Sequence, residues 1–161
     1  MKRYRIVAAS AGVSVGCVML LAAGVYAADP QVGTWKLNLA KSKYDPANVA
    51  PKSQTNKIEA VGGGQKTIAD RVDAQGKAVH YEFTAKYDGK DYPVTGDPTN
   101  DTVAIKKVDD HTFELTDKKG GRVTTTIRIV YSRDGKSRTA IQAGTNAQGQ
   151  KVSNTTVWDR Q

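Results

Sequence analysis

The sequence predicts an all-β fold, an antiparallel up-and-down meander of about ten strands that forms a barrel or a strongly curved sheet. Two observations predict it. Runs of strand length, rich in Val, Ile, Thr, Tyr and Phe, follow one another along the chain. Turn signals containing glycine, aspartate or proline separate these runs at short intervals. No run shows a helical apolar period of useful length, so short strands joined by tight turns are expected throughout.

The N-terminal segment has the pattern of a cleaved signal peptide. Three basic residues lie among the first five, and an apolar or small-residue stretch covers 6–23. Val25-Tyr26-Ala27 then supplies tolerated residues at the −3 and −1 positions, which predicts cleavage before Ala28.

Cleavage divides the chain into a signal peptide, 1–27, and a single β-barrel domain, 28–161, in the periplasm or outside the cell. Two alternatives are an uncleaved transmembrane anchor and lipoprotein processing at Cys17. The Val25-Tyr26-Ala27 cleavage-site pattern favours cleavage over an anchor. The usual leucine upstream of a lipoprotein cysteine is missing, which counts against processing at Cys17. We therefore expect no stable membrane anchor in the mature protein.

The chain is basic, with a formal net charge of +8 at pH 7. Its lysines and arginines are scattered, without a block of five or six, which favours a solvated surface over a nucleic-acid partner. The single cysteine, Cys17, lies in the signal peptide, so the mature domain has no disulfide and depends on burial and strand pairing.

We predict ten strands, with one irregular segment at 39–53. Pro46 and Pro51 interrupt any regular element there. That segment is either a lid across one barrel mouth or a plain connection on the barrel end. The predicted strands are 32–38, 54–61, 65–74, 77–87, 90–95, 101–108, 111–117, 122–132, 137–145 and 150–159.

Alternation of apolar and polar residues predicts which side chains face inward. Asp70, between Ile68 and Val72, is also expected on the inward face. There it bonds a lining hydroxyl, is neutralised by an inward cation or holds a polar group of a ligand; the alternative is a strand end open to water. On the last two predicted strands both faces carry small or polar residues, which predicts an interior that is either partly polar or covered by something else. The clearest inward sets are Val79, Tyr81, Phe83, Ala85 and Tyr87, then Val123, Thr125, Ile127, Ile129 and Tyr131, and the shorter pair Phe113 and Leu115.

The triplet Gly33-Thr34-Trp35 resembles the G-x-W motif that marks the first strand of the calycin superfamily, the lipocalins and intracellular fatty-acid-binding proteins. The resemblance implies structural roles for Gly33 and Trp35, with the tryptophan closing one barrel end under an arginine, Arg160 or Arg138. The longer run from Gly33 to Pro46, and the segment 144–149, are similar to a group of small secreted bacterial proteins of unknown function.

The chain also departs from those families. It lacks the second lipocalin signature, and 39–53 is too short for the helix-turn-helix of fatty-acid-binding proteins. Their Arg-x-Tyr carboxylate clamp is replaced by Thr156-Val157-Trp158 on the last strand, which counts against fatty acids as the ligand.

The sequence contains no recognisable catalytic or metal-binding constellation. There is no His-x-His or cysteine pair to begin a zinc site, and no Gly-x-Ser-x-Gly. The triglycine at 62–64 lacks the Lys-Ser/Thr of a phosphate-binding loop. We therefore expect a non-enzymatic protein with no cofactor and no metal.

Two functional interpretations fit these features. The first is a barrel that binds a small, partly apolar molecule. The alternative is a structural or envelope-interaction protein whose barrel is filled by its own side chains. The sequence assigns neither a ligand identity nor an oligomeric state. The candidate ligand-binding residues are Tyr81, Phe83, Tyr87, Ile127, Tyr131 and Asp70.

Overall fold

The structure is a computed structural model that describes residues 29–145 and 149–161. The predicted signal peptide, 1–27, and its Cys17 lie outside these residues, as do three residues of the 144–149 segment. None of the helical structure in the two described ranges has the length and apolarity to cross a membrane.

Ten antiparallel strands close into a barrel, which confirms the predicted all-β meander. Every strand pairs with the strand that follows it in the chain, and the last strand pairs with the first. The strands are β1 (Gly33–Lys43), β2 (Ser53–Val61), β3 (Gly64–Val72), β4 (Ala78–Lys86), β5 (Asp88–Thr95), β6 (Thr102–Lys107), β7 (Thr112–Lys119), β8 (Arg122–Tyr131), β9 (Ser137–Thr145) and β10 (Lys151–Arg160).

The first strand is longer than predicted. Residues 39–43 extend β1, and its pairing with β10 shifts register between Asn38 and Lys43. Such a bulge lets a strand continue past a local irregularity. Of the predicted irregular segment 39–53, only residues 44–52, here named the strap, lie outside the sheet, and they contain a single 3₁₀ turn, Ala47–Val49.

The meander gives the barrel two distinct ends. At the mouth lie the strap, the β3–β4 turn and the β5–β6 loop, 96–101. At the opposite, closed end, the first strand begins and the last strand finishes, with Trp35 paired to Arg160. The backbone N–H of Gln161 donates to the Thr34 carbonyl over 2.9 Å, which ties the two ends of the described chain together.

The predicted inward faces of β4 and β8 are confirmed over most of their length. Phe83, Ile129 and Tyr131 are buried, whereas Glu82 and Arg128 point outward and form ion pairs with Lys66 and Glu114. The strong alternation of these strands determines their register because the opposite register would bury several charges.

The expectation that Val123 faces inward is wrong. Its side chain is 55% exposed. Asp117 pairs with Thr125 and Lys118 pairs with Val123, so Thr124 is an extra residue opposite β7. This bulge breaks the alternation that the sequence pattern assumes and leaves Val123 at the exposed rim.

The closed end is built around Trp35, which is fully buried. Its indole Nε1 donates to the Gln31 carbonyl over 2.8 Å, and the guanidinium carbon of Arg160 lies 4.5 Å from its ring centroid. Gly33 has φ +138°, and a Cβ there would come within 2.7 Å of the Arg160 Nη1. The predicted packing of an arginine over Trp35 is confirmed, with Gly33 providing the space for it.

Candidate functional site

A cavity of about 750 Å³ occupies the barrel interior. Ligand cavities of a few hundred Å³ or more, mostly apolar with a few polar groups, are typical binding sites. One side of its wall is apolar and comes from inward positions of several neighbouring strands. That side contains Val79, Tyr81, Phe83, Val94, Leu115, Ile127 and Ile129.

The strap borders the cavity at the mouth. Tyr44, Asn48, Val49 and Pro51 all line it, beside residues of the β3–β4 turn and the β5–β6 loop. The irregular segment therefore contacts the cavity directly, and any molecule that enters from this end passes the strap.

The other side of the cavity wall is polar. It includes Gln142 on β9 and Asn154 on β10, which form a 3.1 Å hydrogen bond between their amides. Thr156 and Ala140 also line the cavity. The predicted partly polar interior at the last two strands is confirmed.

Arg138 is the most unusual residue of the cavity because it is a buried cation that has no ionic partner in 29–145 or 149–161. It is 4% exposed and lies on β9. Its Nη1 donates to the Tyr131 hydroxyl over 3.1 Å. With the Asn56 amide oriented so that its oxygen faces the guanidinium, that oxygen accepts from Nη2 over 3.1 Å.

Aromatic rings surround the rest of this guanidinium. Its central carbon lies 4.5 Å from the Trp158 ring centroid, 5.2 Å from that of Trp35 and 5.9 Å from that of Tyr131. Cation–π contacts stabilise arginine where water is excluded. Within the described ranges, Nε has no hydrogen-bond partner and no carboxylate lies within 4 Å of the guanidinium.

A second charged group of the cavity lies toward the mouth. The Arg71 Nη2 is 3.6 Å from an Asp97 carboxylate oxygen, and the Arg71 guanidinium carbon is 5.6 Å from the Tyr81 ring centroid. Asp117 accepts a 3.1 Å hydrogen bond from the Thr125 hydroxyl. Burial raises the pKa of Asp117 to about 6, with a smaller upward contribution from Asp97.

Three of the predicted ligand-binding residues line the cavity: Tyr81, Phe83 and Ile127. The Tyr81 hydroxyl accepts a 2.9 Å hydrogen bond from the Gln54 amide. Burial raises the pKa of Tyr81 to about 12, so its phenol remains a neutral donor at physiological pH.

Tyr87 and Tyr131 are placed elsewhere, in an aromatic plug that fills the closed end. Tyr131 makes an edge-on contact with Trp35 at 5.2 Å, and Phe113 lies 5.3 Å from Tyr87 and 5.9 Å from Tyr131 between ring centroids. The Tyr87 hydroxyl donates to Asp29 over 2.8 Å, and burial together with this carboxylate raises the pKa of Tyr87. These two tyrosines do not line the cavity. Tyr131 contacts a residue that does, because its hydroxyl accepts a hydrogen bond from Arg138.

The expectation that Asp70 faces inward is wrong. Its carboxylate is 73% exposed and lies 2.7 Å from His80 Nδ1 on the outer surface. In the β3–β4 pairing Asp70 is opposite His80, whereas Ala69 is opposite Tyr81. Directly opposed residues share a face of the sheet, so an inward Tyr81 requires an outward Asp70.

None of the charged residues that line the cavity is among the predicted ligand-binding residues. They are Arg71, Asp73, Asp97, Asp117 and Arg138. Arg71 adjoins Asp70 and takes the inward position assigned to its neighbour. The pairing of β3 with β4 across the 73–77 turn contains the signal that would have corrected this, because His80 is predicted to face outward.

The cavity combines an apolar wall, amide and hydroxyl groups, and a buried cation. Groups of these kinds together can hold a molecule with apolar and polar parts. In the part of the chain that the structure describes, no three His, Cys, Asp or Glu side chains converge to hold a metal ion.

No protein-family model matches the chain, and no curated protein matches it. Among solved structures, the barrel is similar to the S-type phycobiliprotein lyase from Guillardia theta, with a TM-score of 0.52. The likeness covers 82% of this chain and 89% of that one, at 9% sequence identity. At this identity the shared feature is the fold alone, an antiparallel β-barrel.

Proposed function

We propose that this protein is a non-enzymatic binding barrel that holds a small, partly apolar molecule in its interior cavity and admits it at the mouth. The observation that carries the proposal is the cavity itself, about 750 Å³ in volume and lined on one side by Tyr81, Phe83 and Ile127. An apolar ligand in this space would bury its surface against side chains that otherwise contact water.

The cavity favours this function over a filled structural barrel. A barrel of small size can be closed by its own side chains, and the closed end shows such filling with its aromatic plug. Toward the mouth, inward positions hold Ala140, Thr156 and other short side chains that leave the space open. Binding also fits the strap, which borders the route into the cavity.

The test uses N-phenyl-1-naphthylamine, an uncharged aromatic probe whose fluorescence increases in apolar surroundings. We expect it to bind the wild-type protein. Ala140→Phe places a ring in the cavity and should weaken binding about tenfold or more, because the displaced volume removes burial worth more than about 1.4 kcal/mol.

The matched control is Ala143→Phe, the same substitution on the same strand at an exposed position. It should leave the affinity unchanged, and thermal unfolding should show that both variants are folded. Absence of probe binding to the wild type, or equal binding by both variants, would contradict an interior site. Native mass spectrometry of the exported protein then identifies any molecule that purifies with it.

The proposal includes export, with the barrel acting in the periplasm or outside the cell after removal of 1–27. The basic residues at the N-terminus and the Val25-Tyr26-Ala27 cleavage-site pattern support export. N-terminal sequencing of the exported protein should begin at or within one residue of Ala28. Recovery of residues 1–20, or a lipid on Cys17, would contradict it.

A further inference from the structure

The deep part of the cavity has an unbalanced positive charge at Arg138. This residue is 4% exposed and lines the cavity, and its Nε has no partner among the described residues. A buried charge without a counter-ion is costly, and the usual partner of a buried arginine is a carboxylate or another oxyanion.

The groups around Arg138 hold it in place without neutralising it. Tyr131 and Asn56 accept from its two terminal nitrogens, and both are uncharged acceptors. The two tryptophans that lie over the guanidinium, Trp158 and Trp35, provide polarisable faces but no formal negative charge. The residue is therefore fixed in orientation while its charge remains available to a group in the cavity.

The carboxylates of the cavity do not supply the missing charge. Asp97 lies beside Arg71, Asp117 accepts a hydrogen bond from Thr125, and Asp73 accepts one from the backbone N–H of Lys77 in the β3–β4 turn. None of the three forms an ion pair with Arg138. The mouth thus contains a paired cation, whereas the cation further inside has no ionic partner among the described residues.

We propose that the ligand of this barrel is an amphipathic anion, a mainly aromatic or apolar molecule with one oxyanion group, carboxylate or sulfonate, that binds at Arg138. This inference rests on the proposed function and adds the chemical class of the ligand. The apolar part lies against Tyr81, Phe83 and Ile127, and the oxyanion accepts hydrogen bonds from the guanidinium.

Two probes that differ by one group test the charge. 8-Anilinonaphthalene-1-sulfonate is N-phenyl-1-naphthylamine with a sulfonate added, so their relative affinity measures the contribution of the anion. The wild-type protein should bind the sulfonate about tenfold more tightly or better, as expected for a charge-assisted hydrogen bond in a site that excludes water.

Two variants remove the charge in different ways. Arg138→Met deletes the guanidinium, and Asn56→Asp retains it but places a carboxylate beside Nη2, in the isosteric position. Both should abolish the preference for the sulfonate while the uncharged probe still binds. Asn56→Asp keeps the test informative if Arg138→Met fails to fold.

The matched control for added negative charge is Asn154→Asp. Asn154 lines the same cavity and lies four residues from Arg138 along the β9–β10 pairing, about 14 Å away at ~3.4 Å per residue. It should reduce the preference less than Asn56→Asp does. Equal wild-type affinity for both probes, or a preference that survives in Arg138→Met and Asn56→Asp, would overturn the proposal. Failure of both probes to bind the wild type would instead contradict the proposed function.

Discussion

Arg160 and Trp35 face each other at the closed end of the barrel, with the guanidinium carbon 4.5 Å from the indole centroid. The same guanidinium donates to three backbone carbonyls, those of Pro30, Val32 and Gly135. One side chain of the last strand thus fixes the segment before β1 and the turn between β8 and β9.

Replacing Arg160 with methionine should lower the free energy of unfolding by about 2–3 kcal/mol. The methionine retains an apolar stem over Trp35, but three carbonyls lose a charged donor. Chemical denaturation measures the change. Arg133→Met, at an exposed position of the same turn, is the control and should change stability by less than about 0.5 kcal/mol. Equal effects would show that the three hydrogen bonds contribute nothing to stability.

Phe83 and Glu82 are neighbours on β4 with opposite orientations. Phe83→Asp places a charge in the apolar cavity wall and should destabilise the protein by about 4 kcal/mol or more. Glu82 forms an exposed 3.1 Å ion pair with Lys66, so Glu82→Gln should change stability by less than about 1 kcal/mol. Similar melting temperatures for the two variants would contradict the register of β4.

Asp117 should make stability depend on pH in a direction opposite to most surface carboxylates. Burial raises its pKa from 3.8 to about 6 in the folded state, so the folded protein binds its proton more tightly than the unfolded chain. The stabilisation from the neutral form is complete below about pH 4 and is lost as pH rises through about 6, a change of about 3 kcal/mol.

Asp117→Asn removes this dependence. The variant should be more stable than the wild type by about 3 kcal/mol at pH 8 and equally stable near pH 4. Denaturant unfolding of both proteins across this range measures the difference in their free energies of unfolding. Groups that titrate equally in both proteins drop out of this difference. A constant difference between pH 4 and pH 8 would show that Asp117 titrates normally.

Asp70 and His80 form an exposed pair on the outer surface, away from the cavity. Asp70→Asn should leave the affinity for N-phenyl-1-naphthylamine unchanged and alter stability by less than about 0.5 kcal/mol, because both partners are well solvated. A tenfold loss of probe affinity would place Asp70 in the site after all.

The sequence predicts the fold well where one face of a strand is strongly apolar. Tyr81, Phe83 and Ile129 were placed correctly because the opposite register would bury neighbouring charges. Strand β3 fails that criterion because its inward residues include Gln65, Thr67 and Arg71, which look solvent-exposed in a sequence. Ile68, on the outer face, made the wrong register look favourable.

The charge inside the cavity could not be predicted in the same way. Arg138 follows a turn and has polar neighbours in sequence, a pattern typical of a solvated strand end. Its burial arises from side chains far away in the chain, because Trp35 and Trp158 enclose it only after β1, β9 and β10 are paired. A polar, open interior weakens the alternation on which sequence-based placement depends.

Both ends of the described chain lie at the closed end, opposite the strap and the mouth. A tether attached before Asp29 or after Gln161 would therefore hold the barrel by its plugged base and leave the route into the cavity unobstructed. The protein can be immobilised on a sensor surface, or fused to another domain at either end, with its binding site directed toward the surrounding solution.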